Sequence, residues 1–198
     1  MERNPEWTGE EGGFDELQFI KYGNADGAER ALELGAVDLI PEVESASFAR
    51  LGEEEDIATQ QAPTPAYTQL AFNLCSAQKC PDAIFNPAIQ DLDVRQATAY
   101  AIDRERLNEI ATQGTSFVAN GILPAFYKSF YEEPEQTYPY DPEMANQILD
   151  DAGWVMNDDG IREKDGEELS FNLYVRSESQ YNIQMARLIA EQTAEVGI

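Results

Sequence analysis

Residues 91–124 read DLDVRQATAYAIDRERLNEIATQGTSFVANGILP, and this stretch carries the clearest helical pattern in the chain. Asp93 is a residue type that caps a helix N-terminus. The apolar residues that follow keep the spacing of one helix face, at Val94, Ala97 and Ala101. A second helix is predicted from the capping residue Asp103 to the stop signal Gly114. The stretch therefore predicts two short helices in tandem, broken between Ile102 and Asp103.

On either side of this stretch, helical and strand patterns alternate. Further helices are predicted at Asp26–Leu34, Ser45–Leu51, Asp141–Gly153 and Tyr181–Glu195. Strands are predicted at Phe14–Tyr22, Ala36–Ile40 and Thr68–Leu74, and a hairpin at Ile161–Lys164 and Glu168–Val175. The hairpin turn is assigned to Asp165-Gly166, because Asp-Gly suits a type I′ turn. The pattern predicts a mixed α/β (α+β) fold.

The charge of the chain is strongly acidic: 38 Asp and Glu stand against 13 Lys and Arg, which gives a formal net charge of −25. Nucleic acids and anionic membrane surfaces attract clustered basic residues, so we expect neither as a partner. The acidic residues are spread along the chain rather than gathered in one block. This distribution favours a solvated surface over a dedicated site for cationic ligands.

Several classes of site are excluded by composition. The chain contains no histidine, which removes Ser-His-Asp and Cys-His nucleophiles and every His-ligated metal site. The run Asp158-Asp159-Gly160 lacks the residue order of a calcium loop, so it predicts a turn. We therefore expect no catalytic residue, no metal and no cofactor. No apolar run reaches the length of a membrane span, and Met1–Glu11 lacks the apolar region of a signal peptide.

Short motifs along the whole chain resemble, in the same order, those of the family 5 extracellular solute-binding proteins. Before residue 80 they are Asn4-Pro5-x-Trp7-x-Gly9, Gly35-Ala36-Val37-Asp38 and Leu70-x-Phe72-Asn73. Further on they are Val94-Arg95-Gln96-Ala97-x-x-Tyr100-Ala101-Ile102-Asp103 and Tyr138-x-Tyr140-Asp141-Pro142-x-x-Ala145. The last are Leu149-x-x-Ala152-Gly153-Trp154, Gly160-Ile161-x-x-Lys164-x-Gly166 and Val196-Gly197-Ile198. Each motif alone is a weak signal, and their shared order is specific.

The resemblance implies periplasmic-binding-protein type II-like lobes, present only in part, within a longer two-lobed receptor. Residues 1–66 would be part of the first large lobe, as a strand–helix–strand unit. Residues 67–198 would be the N-terminal part of the second large lobe, with an interlobe strand, the tandem helices, the hairpin and the last helix. The function implied is the substrate-binding component of an ABC importer, which captures a peptide, a nickel chelate or a similar small solute between the lobes.

The same resemblance implies a monomer that delivers its solute to an ABC permease in the membrane. The protein would be extracellular or periplasmic, and tethered to the membrane as a lipoprotein by an anchor that lies outside this fragment. Two other functions remain as alternatives: a stand-alone acidic interaction domain, and a carboxylate-based hydrolase. The hydrolase is the weaker one, because no carboxylate lies in an active-site motif with a partner that orients it.

Four residues are candidates for ligand binding under this resemblance. Arg176 follows the last predicted strand, where the family's loop approaches the cleft, and its guanidinium suits a ligand carboxylate. A solvated surface arginine beside Glu178 is the alternative. Asn73 lies at the interlobe crossing, where it would bond either the ligand or the hinge backbone. Tyr127 and Tyr174 are candidate aromatic residues of the cleft, with ordinary packing as the alternative.

Cys75 and Cys80, in the segment CSAQKC, are the only cysteines of the chain. Two thiols fall short of the four ligands of a structural zinc site. A disulfide across this small loop needs a backbone that turns back on itself, and two reduced thiols give the same sequence. The compartment implied by the resemblance is oxidising, which favours the disulfide.

Overall fold

The computed structural model describes residues 4, 6–9, 13–62, 66–75, 79, 86–123 and 125–198. The chain divides into two compact units, Met1–Gln60 and Gln61–Ile198, which are treated separately below. Within the described residues, no helix is long and apolar enough to cross a membrane.

The first unit is built around two helices, α1 (Ala25–Glu33) and α2 (Ser45–Leu51). Asn24 caps α1 by accepting a hydrogen bond from the backbone N–H of Gly27, so the predicted start at Asp26 lies two residues after the observed cap. In the described part of this unit, the buried apolar residues are Ala31 and Leu51. The two helices are joined mainly by polar contacts.

Arg50 of α2 makes those polar contacts with α1. Its guanidinium forms an ion pair with the carboxylate of Glu33 and another with that of Glu29, where Nη2 and Oε2 are 2.9 Å apart. Arg30 adds a further ion pair to Glu33 at 3.0 Å. The hydrogen bonds from Arg50 and Arg30 lower the pKa of the Glu33 carboxyl. In return, the Glu33 carboxylate raises the pKa of the Arg50 guanidinium.

The described part of the second unit contains four α-helices and two short 3-10 helices. The α-helices are α3 (Leu92–Ala101), α4 (Arg104–Thr112), α5 (Pro142–Asp151) and α6 (Gln180–Ala194). The 3-10 helices are Pro87–Gln90 and Ala125–Phe130, the latter interrupted at Lys128, where φ is 50° and ψ is −100°. The tandem pair predicted from the sequence is therefore confirmed as α3 and α4.

The break between the tandem helices lies where the sequence predicted it. Ile102 leaves the helical conformation with φ −99° and ψ 113°, and Asp103 accepts a hydrogen bond from the Arg106 N–H at 3.0 Å. The backbone N–H of Asp103 in turn donates to Oε1 of Gln192 on α6, at 3.1 Å. One predicted cap is wrong: Asp91, not Asp93, caps α3, by accepting from the Asp93 N–H at 3.0 Å.

The second unit also holds a small antiparallel sheet in the order β1 (Val155–Met156), β2 (Arg162–Lys164) and β3 (Glu167–Glu168). Strands β2 and β3 pair Glu163 with Glu168 and Lys164 with Glu167. The predicted Asp165-Gly166 turn connects them, with φ of 55° and 83° at its two residues. Both values are positive, as a type I′ turn requires.

Several predicted strands do not form. No regular strand is assigned within Phe14–Tyr22, Ala36–Ile40 or Thr68–Leu74, and β3 ends at Glu168 rather than Val175. These segments have the apolar alternation of strands, but a strand becomes regular only when a neighbouring chain segment completes its hydrogen-bond ladder. Among the described residues, β1, β2 and β3 are the segments that pair into a sheet. The predicted Leu70–Asn73 crossing strand is accordingly not assigned as a strand.

A single hydrophobic cluster holds the second unit together. It consists of Val94, Ala97 and Ala101 from α3, Ala145 and Leu149 from α5, and Trp154, Leu169 and Val196. Small alanine side chains on the facing surfaces let α3 and α5 approach closely. The cluster thus connects the tandem helices to the hairpin and to the end of α6, the elements that flank the candidate ligand-binding loop.

Candidate functional site

The loop between β3 and α6 carries two of the four candidate ligand residues. Tyr174 is 73% exposed, and Arg176 is exposed as well. Within the described residues, no ion pair or side-chain hydrogen bond of Arg176 is found, and Glu178 instead accepts from the Ser177 hydroxyl at 3.2 Å. The backbone carbonyl of Arg176 accepts from the Ser179 N–H at 3.4 Å, close to the start of α6. The Arg176 guanidinium is thus a solvated cation, available to an anionic group.

Ser179 then fixes the start of α6. Its side chain caps the helix by accepting from the Asn182 N–H at 3.4 Å. Serine is a favoured residue at this position because its oxygen satisfies an N–H group that the first helical turn leaves unpaired. The cap defines where the loop ends, and Arg176 lies three residues before this cap.

Asn73 lies on a segment that contacts the same region. Its side-chain oxygen accepts from the Cys75 N–H at 3.0 Å, which is the bonding pattern of an Asx turn. On the same segment, the Thr68 hydroxyl is hydrogen-bonded to the Tyr181 hydroxyl in the first turn of α6. The structure therefore brings the segment of Asn73 and the helix that follows Arg176 together through Thr68 and Tyr181.

Tyr127 is half-buried and stacks on Phe126, with ring centroids 4.7 Å apart and an angle of 28° between the planes. The surrounding segment exposes other rings: Phe117 is 83% and Phe130 78% exposed. Tyr127 therefore packs within its own 3-10 helix, and nothing in the described residues places it with Arg176 or Tyr174.

A different residue, Arg104, holds the aromatic segment in place. From the first turn of α4, its guanidinium donates to the carbonyl oxygens of Ala119 at 3.1 Å and Tyr138 at 2.9 Å. The Tyr138 ring meets the Tyr100 ring edge-on, with centroids 5.3 Å apart. Sequence reasoning missed Arg104, since a helix-start arginine carries no signal of the distant carbonyl groups it binds.

Glu133 is the centre of a small polar cluster in this segment. Its carboxylate accepts hydrogen bonds from the Tyr131 hydroxyl and, at 2.8 Å, from the Asn120 amide. The bond from Tyr131, with that from Asn120, lowers the pKa of the Glu133 carboxyl, and the same bond raises the pKa of the Tyr131 hydroxyl. Both shifts have the same cause, because the hydrogen bond joins the ionised carboxylate to the protonated hydroxyl and so favours these two forms.

Nothing in the described residues has the arrangement of a metal or catalytic site. No group of three or more His, Cys, Asp or Glu side chains there is placed to hold a metal ion. An open groove of about 380 Å³ lies on the hairpin and is lined by Gly153, Val155, Met156, Asn157, Glu163, Lys164 and Asp165. None of the four candidate ligand residues lines this groove.

The predicted bridge between Cys75 and Cys80 stays a prediction. Cys80 lies outside the described residues, and within them no cysteine is free.

Comparison with known proteins places these features in a wider context. The family model described as bacterial extracellular solute-binding proteins, family 5 Middle, matches residues 1–198. The oligopeptide-binding protein OppA of Lactococcus lactis subsp. lactis is 33% identical over 112 residues, which are 56% of this chain and 19% of that protein. The nickel-binding periplasmic protein of Escherichia coli (strain K12) is 27% identical over 202 residues, 98% of this chain and 36% of that protein.

Among solved structures, NikA from Brucella suis in complex with Fe(III)-EDTA superposes with a TM-score of 0.81 at 25% identity. The match covers 100% of this chain and 38% of NikA. The chain thus spans less than two fifths of the length of each of these proteins. The fold is that of a periplasmic binding protein of mixed helix and strand, present in part.

Proposed function

The chain belongs to the bacterial extracellular solute-binding proteins of family 5, and from this premise we propose that it is part of the substrate-binding component of an ABC importer. The observation that carries the proposal is the match of the family model to residues 1–198, together with the superposition on NikA over 100% of the chain. Proteins of this family bind solutes and are not enzymes, which argues against a hydrolase.

In this proposal the solute carries a carboxylate, and Arg176 receives it. The support is its exposed, unpaired guanidinium at the end of the loop that leads into α6. A guanidinium offers two parallel N–H donors to a carboxylate, which gives both orientation and affinity. Tyr174, 73% exposed and two residues earlier, supplies an aromatic surface beside it. Asn73 contributes to the hinge or to ligand binding from the segment that Thr68 bonds to α6.

Peptides are the solute class that we favour, because they always end in a carboxylate unless they are capped. OppA of Lactococcus lactis, a relative of this chain, is an oligopeptide-binding protein. Main-chain hydrogen bonds and bridging waters would carry much of the affinity, and closure of two lobes would enclose the ligand. The affinity for the closed state must exceed that for the open state, or the ligand would not shift the equilibrium.

A metal chelate is the second candidate solute. NikA from Brucella suis was crystallised with Fe(III)-EDTA, whose chelator carries carboxylates. Arg176 would serve either solute, since it recognises the carboxylate and not the rest of the molecule. We further propose that residues 1–66 are part of the first large lobe and residues 67–198 the N-terminal part of the second. In this proposal the receptor is a monomer, extracellular or periplasmic and tethered to the membrane, and it delivers its solute to a permease.

The test is calorimetric titration of the full-length protein with tri- to pentapeptides and with the same peptides amidated at the C-terminus. We expect Arg176→Gln to weaken binding of free-acid peptides about 10- to 100-fold, because a hydrogen bond to a charged group contributes about 1.5–3 kcal/mol. Binding of amidated peptides should change little. Arg187→Gln is the matched control, because Arg187 is also exposed but lies on α6 rather than in the loop. This substitution should leave both affinities unchanged.

Two results would contradict the proposal at different levels. If the unsubstituted protein binds neither peptides nor carboxylate chelates of nickel or iron, the transport function is wrong. If it binds free-acid peptides but Arg176→Gln and Arg187→Gln behave alike, the function stands and the assignment of Arg176 is wrong.

A further inference from the structure

The acidic charge is present throughout the chain. Residues 1–60 carry 16 acidic against four basic residues, and residues 61–198 carry 22 against nine. Only four of the basic residues of the whole chain are lysines. A net charge this far from zero works against the compact state, because folding brings the like charges closer together.

Two of the arginines in the second unit bind backbone carbonyls rather than carboxylates. Arg95 donates to the carbonyls of Ile89 at 2.6 Å and Gln90 at 3.0 Å. Arg104 donates to those of Ala119 and Tyr138. A carbonyl carries no net charge, so within the described residues these two guanidinium groups are fixed without forming an ion pair with an acidic side chain.

The hairpin of β2 and β3 is where like charges face each other directly. Glu163 and Glu168 are cross-strand partners, and both are exposed. Directly opposed residues of an antiparallel pair have Cβ atoms roughly 4.5–5.5 Å apart, and like charges there are destabilising. The neighbouring pair, Lys164 and Glu167, has opposite charges. Asp165 in the connecting turn adds a further negative charge.

Lys164 does not offset the repulsion between Glu163 and Glu168. Its ammonium group lies 3.8 Å from the Asp91 carboxylate and 5.7 Å from the centre of the Trp154 ring. It is thus engaged on the inner side of the hairpin, and it faces Glu167 across the strands. Screening of the repulsion between Glu163 and Glu168 therefore depends on dissolved ions.

We infer that the folded state of this chain requires high ionic strength, and that the β2–β3 hairpin is the element that opens first when salt is withdrawn. The Debye length is about 10 Å at about 0.1 M salt and about 3 Å at about 1 M. The Cβ separation of directly opposed residues, roughly 4.5–5.5 Å, lies between these two lengths. Concentrated salt therefore screens this repulsion, and dilute salt leaves it in force.

Opening of the hairpin has consequences beyond the hairpin itself. The Leu169 N–H donates to the Arg162 carbonyl at 2.7 Å, and the Arg162 N–H donates to the Gly197 carbonyl at 2.9 Å. Leu169 is fully buried in the hydrophobic cluster. Loss of β2–β3 pairing would release Leu169 from the core and free the end of α6. Salt would in this way stabilise the whole second unit.

The first measurement is the thermal midpoint of the full-length protein in KCl, together with hydrogen exchange at the amides of Arg162 and Leu169. Between about 1 M and about 0.1 M KCl we expect the midpoint to fall by on the order of 10 °C. Exchange at the two amides should accelerate before that of α3 and α5, since local opening precedes global unfolding. A midpoint that is constant or rises as KCl is lowered would overturn the inference.

Two variants with the same change of net charge separate screening from a general salt effect. Glu168→Gln removes the charge opposite Glu163, and Glu167→Gln removes the charge opposite Lys164. At about 0.1 M KCl we expect exchange at Leu169 to slow about two- to fivefold in the first variant and not in the second. At about 1 M KCl the two should be equal. If exchange at Leu169 is the same in both variants at low salt, repulsion between Glu163 and Glu168 does not open the hairpin, and that part of the inference is wrong.

Discussion

Arg162 shows at the scale of one residue how this fold is held together. It is only 3% exposed, and its guanidinium donates four hydrogen bonds. Nε binds the carbonyl of Val196, Nη1 binds Asp150 and the carbonyl of Trp154, and Nη2 binds Asn146, all at 2.6–2.8 Å. These partners lie on α5, at the start of the hairpin and at the end of α6. One side chain thus joins three elements of the second unit.

Replacement of this arginine should be costly. Arg162→Met keeps much of the apolar volume but leaves the buried carbonyls of Trp154 and Val196 without a donor. We expect the free energy of unfolding to fall by about 2–5 kcal/mol, because each buried carbonyl that is left without a donor costs about 1–3 kcal/mol. Urea unfolding of the two proteins, followed by circular dichroism, measures the difference.

Arg106 on α4 provides the control. It is exposed, and Arg106→Met should change the free energy of unfolding by no more than about 0.5 kcal/mol. If Arg162→Met also lowers the free energy of unfolding by less than about 1 kcal/mol, the four hydrogen bonds of Arg162 do not stabilise the fold as proposed.

At the scale of the element, α5 follows from local signals at both ends. Asp141 caps it by accepting from the Met144 N–H at 2.9 Å, and Pro142 occupies the first turn. Gly153, with φ of 84°, ends it in the left-handed conformation. Asp151 lies in the last turn, where its negative charge opposes the helix dipole. The two aspartates therefore have opposite effects on the same helix.

This contrast is testable with a single type of substitution. Asp141→Ala should lower the free energy of unfolding by about 1 kcal/mol, because a capping bond and a favourable dipole interaction are lost. Asp151→Ala should be neutral or stabilising by a few tenths of a kcal/mol, although it removes an exposed bond from Gln147 at 2.9 Å. Chemical denaturation of both variants at the same salt concentration measures the two changes in the free energy of unfolding. Equal losses of stability would mean that Asp141 does not act as a cap.

At the scale of the whole molecule, the two compact units differ in their hydrophobic content. The buried cluster of eight apolar residues lies entirely within Gln61–Ile198. In the described part of Met1–Gln60, the buried apolar residues are Ala31 and Leu51. Since burial of apolar surface is the main favourable term in folding, the two units should differ widely in stability.

Expressed alone in about 1 M KCl, which screens the acidic surface, residues 61–198 should unfold cooperatively on heating. Residues 1–60 should show no cooperative transition, because a chain of that length with so small a core does not offset its conformational entropy. Scanning calorimetry of the two fragments tests this. A sharp heat-absorption peak from residues 1–60 would contradict it.

The sequence by itself determined the features that depend on neighbouring residues in the chain. The helices α3 to α6, the caps Asp103 and Asp141, and the Asp165-Gly166 turn were predicted, because caps, stops and turn residues act over a few positions. Family membership also came from the sequence, since the order of motifs is a one-dimensional property. The strongly acidic charge is also a property of the sequence alone. The same holds for the absence of histidine, which excludes the classes of site that require it.

Only the tertiary structure decided which distant groups meet. Asp91 rather than Asp93 caps α3, and two aspartates two residues apart give the same local signal. The arginines Arg104 and Arg162 bind carbonyls 8 to 34 residues away, and no local pattern specifies such a partner. The strand patterns at Phe14–Tyr22 and Thr68–Leu74 formed no regular strand, because a strand needs a second segment to complete its hydrogen bonds. Long-range pairing is a property of three-dimensional packing, and for that reason the sequence left it open.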